Sequence, residues 1–136
     1  MKKVFFILIF VITQVGYSQL QNKNLSLPTT EEVVYMTNQV TEAPNFIGEK
    51  KALDIFIKRN FKQPKVKNGV KGEVLVSFIV EKDGSLSEIG VLSDAGYGTA
   101  DEAIRVMKLS PNWKAGILNG NNVRVQYMIT IPVKPI

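Results

Sequence analysis

Residues 123–133, VRVQYMITIPV, constrain the fold more than any other part of the chain, because every second residue in this run is apolar. Such alternation predicts a β-strand with one buried and one wetter face. Pro132 lies near the end of the run, and a proline has no N–H to donate to a sheet ladder. The strand is therefore predicted at a sheet edge, with part of its backbone unpaired.

Two helices are predicted from segments with helical spacing of apolar residues. The first covers residues 48–60, with Glu49 in its first turn and Pro64 preventing further extension. The second opens at Thr99, which with Glu102 matches a capping box, and it stops before Pro111. The residues expected to face inward are Ala52, Leu53, Phe56 and Ile57 in the first helix and Ala100, Ala103, Ile104 and Met107 in the second.

Residues 72–92 predict a β-hairpin, because apolar residues alternate from Val74 to Val80 and Asp83-Gly84 supplies a type I′ turn. The return strand breaks alternation after Leu86, which indicates a bulge near Ser87. A second turn, NGNN at residues 119–122, leads into the terminal strand. Trp113, between the second helix and this turn, is expected to plug the edge of the core rather than to stack on a ligand.

The order helix, hairpin, helix, strand predicts an α+β fold. We expect a small three-stranded antiparallel sheet with two helices packed on one face, because alternating strands need only one covered face. A weak strand at residues 33–36 is an optional addition in front.

The amino terminus has the pattern of a secretory signal. Lys2 and Lys3 precede an apolar run at residues 4–12, and small residues follow at Gly16 and Ser18. We expect residues 1–18 to be removed after Ser18, the alternative being an uncleaved membrane anchor. Residues 19–45 are then a flexible lead and residues 46–136 the domain. Loss of two lysines leaves 15 basic against 12 acidic residues, a formal net charge of +3, which gives no argument for nucleic-acid binding by an exported protein.

The composition argues against an enzyme. The chain has no cysteine and no histidine, which removes thiolate chemistry, the commonest general base and the commonest metal ligand. Asp83, Asp101 and Glu102 do not form the convergent pair that acid–base catalysis needs, and no serine has a G-x-S-x-G context. No catalytic residue, metal, cofactor or small-molecule substrate is predicted.

Two motifs in this order resemble the carboxy-terminal domain of TonB, in the short, stand-alone version of Bacteroidetes-like bacteria. The first is the hairpin GEVLVSFIVEKDG from Gly72, and the second is the tail from Trp113, with WKAG, then NG, then VRVQY. The resemblance covers residues 46–133. It implies a periplasmic domain that pairs its terminal edge strand with the TonB box, a short peptide near the amino terminus of an outer-membrane transporter's plug.

The resemblance also implies which residues touch the partner. The strand positions are Val123, Arg124, Val125, Gln126, Tyr127, Met128 and Ile129. A tyrosine-proline segment of the family matches Gln63-Pro64 here, so glutamine replaces the tyrosine. A full TonB also has a retained membrane helix and a proline-rich spacer, and neither pattern is found in this sequence. We therefore expect a free periplasmic binding module that cannot transmit force by itself.

Two alternatives use other features of the chain. In one, the terminal edge pairs with its copy in a second molecule and forms a structural homodimer. In the other, residues 58–71, with six basic residues and no acidic one, bind an envelope polymer such as peptidoglycan. The simpler interpretation of this basic segment is a solvated linker.

Overall fold

A computed structural model of the protein describes residues 32–136. Its elements in chain order are β1 (Val34–Met36), a 3-10 turn (Thr37–Gln39), α1 (Glu49–Asn60), β2 (Gly72–Val80), β3 (Leu86–Ser93), α2 (Thr99–Lys108), β4 (Gly116–Leu118) and β5 (Asn121–Val133). The predicted signal and residues 19–31 of the predicted lead lie outside the described residues. Neither of the two helices in residues 32–136 is long and apolar enough to cross a membrane.

The fold is α+β, as predicted, but the sheet has more strands than expected. The strand order is β1-β5-β2-β3, and β4 also pairs with β5. β2 is antiparallel to both β3 and β5, whereas β1 runs parallel to β5. The expected three-stranded antiparallel sheet is therefore the centre of a mixed sheet of five strands, because β1 and β4 both add to β5.

Both helices pack on one face of this sheet, as the alternation predicted. Leu53 and Ile57 of α1 join a single buried cluster with Ala103, Val106 and Met107 of α2. The sheet contributes alternate residues of its two long strands, namely Val74, Val76, Phe78 and Val80 of β2 and Ile129, Ile131 and Val133 of β5. Burial of each large apolar side chain contributes roughly 1.5–3 kcal/mol, so this shared face holds the domain together.

The start of α2 differs from the predicted capping box. Gly98, with φ of +78°, occupies the cap position, and Thr99 already lies in the first turn. The Thr99 hydroxyl donates to the Gly96 carbonyl at 2.7 Å, and Glu102 bonds to Arg105 instead. The prediction failed because glycine can adopt the left-handed backbone that this tight turn requires. Val106 is also fully buried, whereas the predicted Ala100 and Ile104 are only half-buried.

The turn between β2 and β3 differs from the predicted type I′ geometry. Gly84 has φ of +86°, but Asp83 does not have positive φ, and the Gly84 N–H donates to the Glu81 carbonyl at 2.8 Å. The β2–β3 turn is therefore not type I′. Positive φ at both Asn119 and Gly120 gives that geometry to the β4–β5 turn instead. The bulge near Ser87 is confirmed, since the β2–β3 register shifts between Ser77 and Ile79.

Trp113 plugs the core, as predicted. Its side chain is only 4% exposed, and its ring meets those of Phe46, Phe78 and Tyr127 at centroid distances of 5.6, 5.2 and 5.4 Å. The indole N–H donates to the Ser110 hydroxyl at 2.9 Å. Through these contacts, the segment before β4 packs against the face of β5 that carries Tyr127.

Candidate docking edge

The edge of β5 that faces away from β2 is paired along only part of its length. β1 covers it at Arg124, Val125 and Gln126. β4 pairs separately with the start of β5, at residues 121–123. Within residues 32–136, no strand pairs with this side of β5 after Gln126. The expectation of an unpaired edge is therefore wrong for residues 124–126, which β1 covers, and correct for the part that follows in the described residues. We call the outward side of residues 127–134 the open edge.

Gln63 shows which backbone groups of β5 face outward. Its side-chain amide donates to the Pro132 carbonyl at 3.4 Å and accepts from the Lys134 N–H at 3.0 Å. β2 lies along the other side of the strand, so residues 132 and 134 direct their backbone groups toward the open edge. Successive residues of a strand alternate in this respect, which gives Met128 and Thr130 the same outward direction. The alternation of apolar and polar residues in the sequence did not show which residues direct their backbone groups outward.

Met128 and Thr130 thus present N–H and C=O groups that lack a backbone partner in the described part of the chain. Both side chains are exposed. The Gln63 amide, which has the same donor and acceptor as a peptide unit, occupies the downstream end of the open edge at Pro132 and Lys134. Pro64 follows Gln63 in the chain and makes no hydrogen bond to β5 among residues 32–136.

A groove of about 570 Å³ runs between α1 and the open edge. Buried Ile57 and Phe61 contribute apolar surface to it. Its other lining residues are Lys50, Asp54, Lys58, Gln63, Thr130, Pro132 and Lys134. An extended chain placed on the open edge would therefore lie against apolar as well as charged groups.

A second hollow, of about 430 Å³, lies where β1 ends and the open edge begins. It is lined by Met36, Thr37, Ala43, Gln126, Tyr127 and Met128. Met36 and Met128 are 53% and 55% exposed. Methionine is flexible and polarisable, and it adapts to varied apolar partners. The upstream end of the open edge is therefore bordered by adaptable apolar surface.

The covered part of β5 is fixed by polar contacts on the sheet face opposite the helices. Arg124 donates to Glu81 from Nε at 2.7 Å and from a terminal nitrogen at 3.0 Å. These hydrogen bonds are the main reason that the pKa of the Glu81 carboxyl lies below its usual value of 4.5. Arg124 also donates to the Glu32 carbonyl at 3.0 Å, and Gln126 donates to the Ser77 hydroxyl at 3.0 Å.

The predicted partner-binding residues therefore fall into two groups. Gln63, Met128 and the backbone around them lie at the open edge, whereas Arg124 and Gln126 are engaged within the domain. Val125 is fully buried and Ile129 nearly so, and the Tyr127 ring packs edge-to-face against Trp113. Sequence reasoning missed Phe61 and Lys134 as groove residues, because only the tertiary packing of α1 beside β5 brings them together.

The described residues offer a surface for binding and no evident catalytic centre. No group of three or more Asp or Glu side chains in residues 32–136 could hold a metal ion. Every buried side-chain nitrogen and oxygen in that range has a hydrogen-bond partner. The unpaired polar groups at this site are instead those of the β5 backbone.

Comparison with known proteins gives a family match over most of the described residues. Residues 58–134 match the model of the family described as Gram-negative bacterial TonB protein C-terminal. No curated protein and no solved structure gives a significant match. The matched residues run from the last turn of α1 through β5, and so include Gln63, the groove lysines Lys58 and Lys134, and the open edge.

Proposed function

Because the chain belongs to the family of TonB carboxy-terminal domains, whose members are periplasmic and take part in transport-related protein interactions, we propose that it docks an outer-membrane transporter by strand addition. The docked segment is the TonB box near the amino terminus of the transporter's plug. It adds to the open edge as a further strand of the sheet, with its backbone paired to Met128 and Thr130.

The observation that carries this proposal is the row of outward N–H and C=O groups at Met128 and Thr130. Unpaired edges of this kind invite unwanted pairing, and proteins usually cover or charge them. Here β1 covers the edge upstream and Gln63 caps it downstream, yet no strand within residues 32–136 covers the part between them, which lies beside a groove. A docking role gives a reason for this selective exposure.

The short edge sets the strength expected of the contact. Two residues offer up to four backbone hydrogen bonds, each contributing about 0.5–1.5 kcal/mol net. Backbone pairing alone thus provides roughly 2–6 kcal/mol before the entropic costs of association are paid. The groove beside α1 must add apolar or charged contacts if binding is to reach the micromolar range.

Proline scanning with a matched control tests the proposal. Met128→Pro removes the exposed side chain together with one outward N–H, whereas Met128→Ala removes the same side chain and keeps the N–H. We expect Met128→Ala to bind synthetic plug peptides within about threefold of the parent. Met128→Pro should weaken binding at least tenfold, roughly the effect of one to two backbone hydrogen bonds. Fluorescence anisotropy gives both affinities.

Each variant must retain the near-ultraviolet signal of Trp113, which reports the folded core. Thr130→Pro repeats the test at the second outward position in case Met128→Pro does not fold. A folded proline variant that binds plug peptide as tightly as its alanine counterpart would contradict docking at this edge.

The two alternatives predict other behaviour. A homodimer formed through the open edge would appear as a concentration-dependent dimer in sedimentation at micromolar protein. Binding of an anionic polymer such as peptidoglycan would depend on the six basic residues of segment 58–71, all of which are exposed. Such electrostatic binding weakens strongly as salt increases, whereas a backbone ladder does not.

A further inference from the structure

Beyond backbone pairing, we propose that the groove selects peptides that carry an acidic side chain, held between Lys58 and Lys134. The inference rests on the proposed docking at the open edge and adds a side-chain rule to it. Lys58 belongs to the last turn of α1 and Lys134 follows the end of β5, so the two lysines come from opposite walls of the groove.

The charges that line the groove are unbalanced. Its acidic residue, Asp54, is already paired with Lys50 at 3.0 Å. Lys58 and Lys134 form no ion pair with any residue in 32–136. The groove therefore carries two uncompensated positive charges, which favour a ligand that brings negative charge.

Strand geometry specifies the pattern of the ligand further. Side chains of an added strand alternate between the two faces of the sheet, so residues two positions apart enter the groove together. One of these can cover the apolar surface of Ile57 and Phe61, while the other reaches the lysines. The expected ligand is thus an extended peptide with an apolar and an acidic residue two positions apart.

A second copy of this chain fits the groove less well. Residues 121–134, which form β5 and the position after it, contain Arg124 and Lys134 but no acidic residue. A copy of β5 placed on the open edge would add positive charge beside Lys58 and Lys134. Like charges close together disfavour that pairing, so charge favours an acidic peptide from another protein.

Glutamate–glutamine peptide pairs test the rule. In a synthetic peptide of a transporter plug, each position in turn is replaced by Glu and, separately, by Gln, and affinities are measured by fluorescence anisotropy. We expect the Glu version to bind roughly threefold to fivefold more tightly than the Gln version at the groove-facing position. Lys58→Gln or Lys134→Gln should reduce this ratio toward one, and Lys67→Gln, an exposed lysine that does not line the groove, should leave it unchanged.

The outcomes separate this inference from the proposed function. If plug peptides bind and the Glu and Gln versions have equal affinity at every position, the acidic rule is wrong and edge docking stands. If Lys67→Gln lowers the ratio of Glu-peptide to Gln-peptide affinity as much as the groove variants do, the preference comes from the overall positive charge of the protein. That result would also overturn the rule. If no plug peptide binds the folded protein, both proposals fail together.

Discussion

The two halves of β5, residues 121–126 and residues 127–133, differ in their neighbours although they share one sequence pattern. Both halves alternate apolar and polar residues, and Val125 in the first half and Ile129, Ile131 and Val133 in the second are buried. The first half contacts β4, β1 and the Glu81 carboxylate. In the described part of the chain, the open edge of the second half is bordered downstream by the Gln63 amide. Alternation thus determines which face is buried and says nothing about which edge is paired.

Under the proposed function, this difference separates residues that matter for folding from residues that matter for docking along a single strand. Changes near the first half are expected to alter stability, because β1, β4 and the β2–β3 turn meet there. Changes to outward backbone groups of the second half are expected to alter partner binding, because they lack partners in the described part of the domain. The following variants test that division in order of decreasing effect.

Replacement of Gly84 by valine should give the largest loss of stability. Gly84 has φ of +86°, and a Cβ there would lie 1.9 Å from the Trp113 carbonyl oxygen. The Trp113 N–H also donates to the Gly84 carbonyl at 2.7 Å, so the turn and the segment before β4 must both shift. We expect Gly84→Val to lower the free energy of unfolding by roughly 2–4 kcal/mol, measured by thermal and urea denaturation.

Gly90→Ala is the control for this change, because a Cβ at Gly90 meets nothing within 4 Å. Its effect should stay within about 1 kcal/mol. Plug-peptide affinity per folded molecule should not change in either variant. A Gly84→Val protein with the melting temperature of the parent would show that this turn does not hold the first half of β5 in place.

Weakening β1 should have an intermediate effect and should extend the open edge. Tyr35 lies opposite Val125 in the parallel pairing. Because the backbone groups of Arg124 point away from β2 and toward β1, the Arg124 carbonyl can accept a hydrogen bond from the Tyr35 N–H. Tyr35→Pro removes that donor and should cost about 1 kcal/mol, with Tyr35→Ala as the matched control. Peptides long enough to reach residues 124–126 should bind Tyr35→Pro more tightly than Tyr35→Ala. Equal affinities would mean that β1 does not limit the length of the docked strand.

The smallest effect is expected from acid titration of Glu81. Its pKa is lowered in the folded protein mainly by the Arg124 hydrogen bonds. The resulting stability is present above the ordinary carboxyl pKa of 4.5 and is lost as pH falls through the lower, folded value. Glu81→Gln should therefore flatten the decline in stability below about pH 4.5, measured by urea denaturation at several pH values. Parallel curves for parent and variant would contradict a stabilising Glu81–Arg124 pair.

Local patterns predicted the elements well because short-range spacing determines them. The faces of α1 and β5, the bulge near Ser87 and the buried Trp113 all follow from periodicity, chain breakers or side-chain size. The cap of α2 was wrong because Gly98 can take a left-handed backbone that the Thr99–Glu102 pattern does not reveal.

The sequence indicated which segments make up the candidate site but not how far the unpaired edge extends. The family resemblance indicated the terminal strand and Gln63, and the structure brings them together. The pairing of β1 with β5 involves residues about 90 positions apart in the chain, and three residues carry too little pattern to reveal such a partner. The outward phase of β5 became clear only from the Gln63 contacts, since side-chain alternation does not distinguish one edge from the other.

The shortness of the edge between β1 and Gln63 affects the lifetime of a docked complex as well as its affinity. Under the proposed docking, a ladder with so few bonds, together with contacts in the groove, would hold its partner with dissociation constants in the micromolar to millimolar range. At association rate constants on the order of 10⁶ M⁻¹s⁻¹, a docked segment then leaves after roughly a millisecond to a second. One molecule could therefore visit many transporters in turn, and the Gln63 amide, by ending the ladder early, would keep each visit brief.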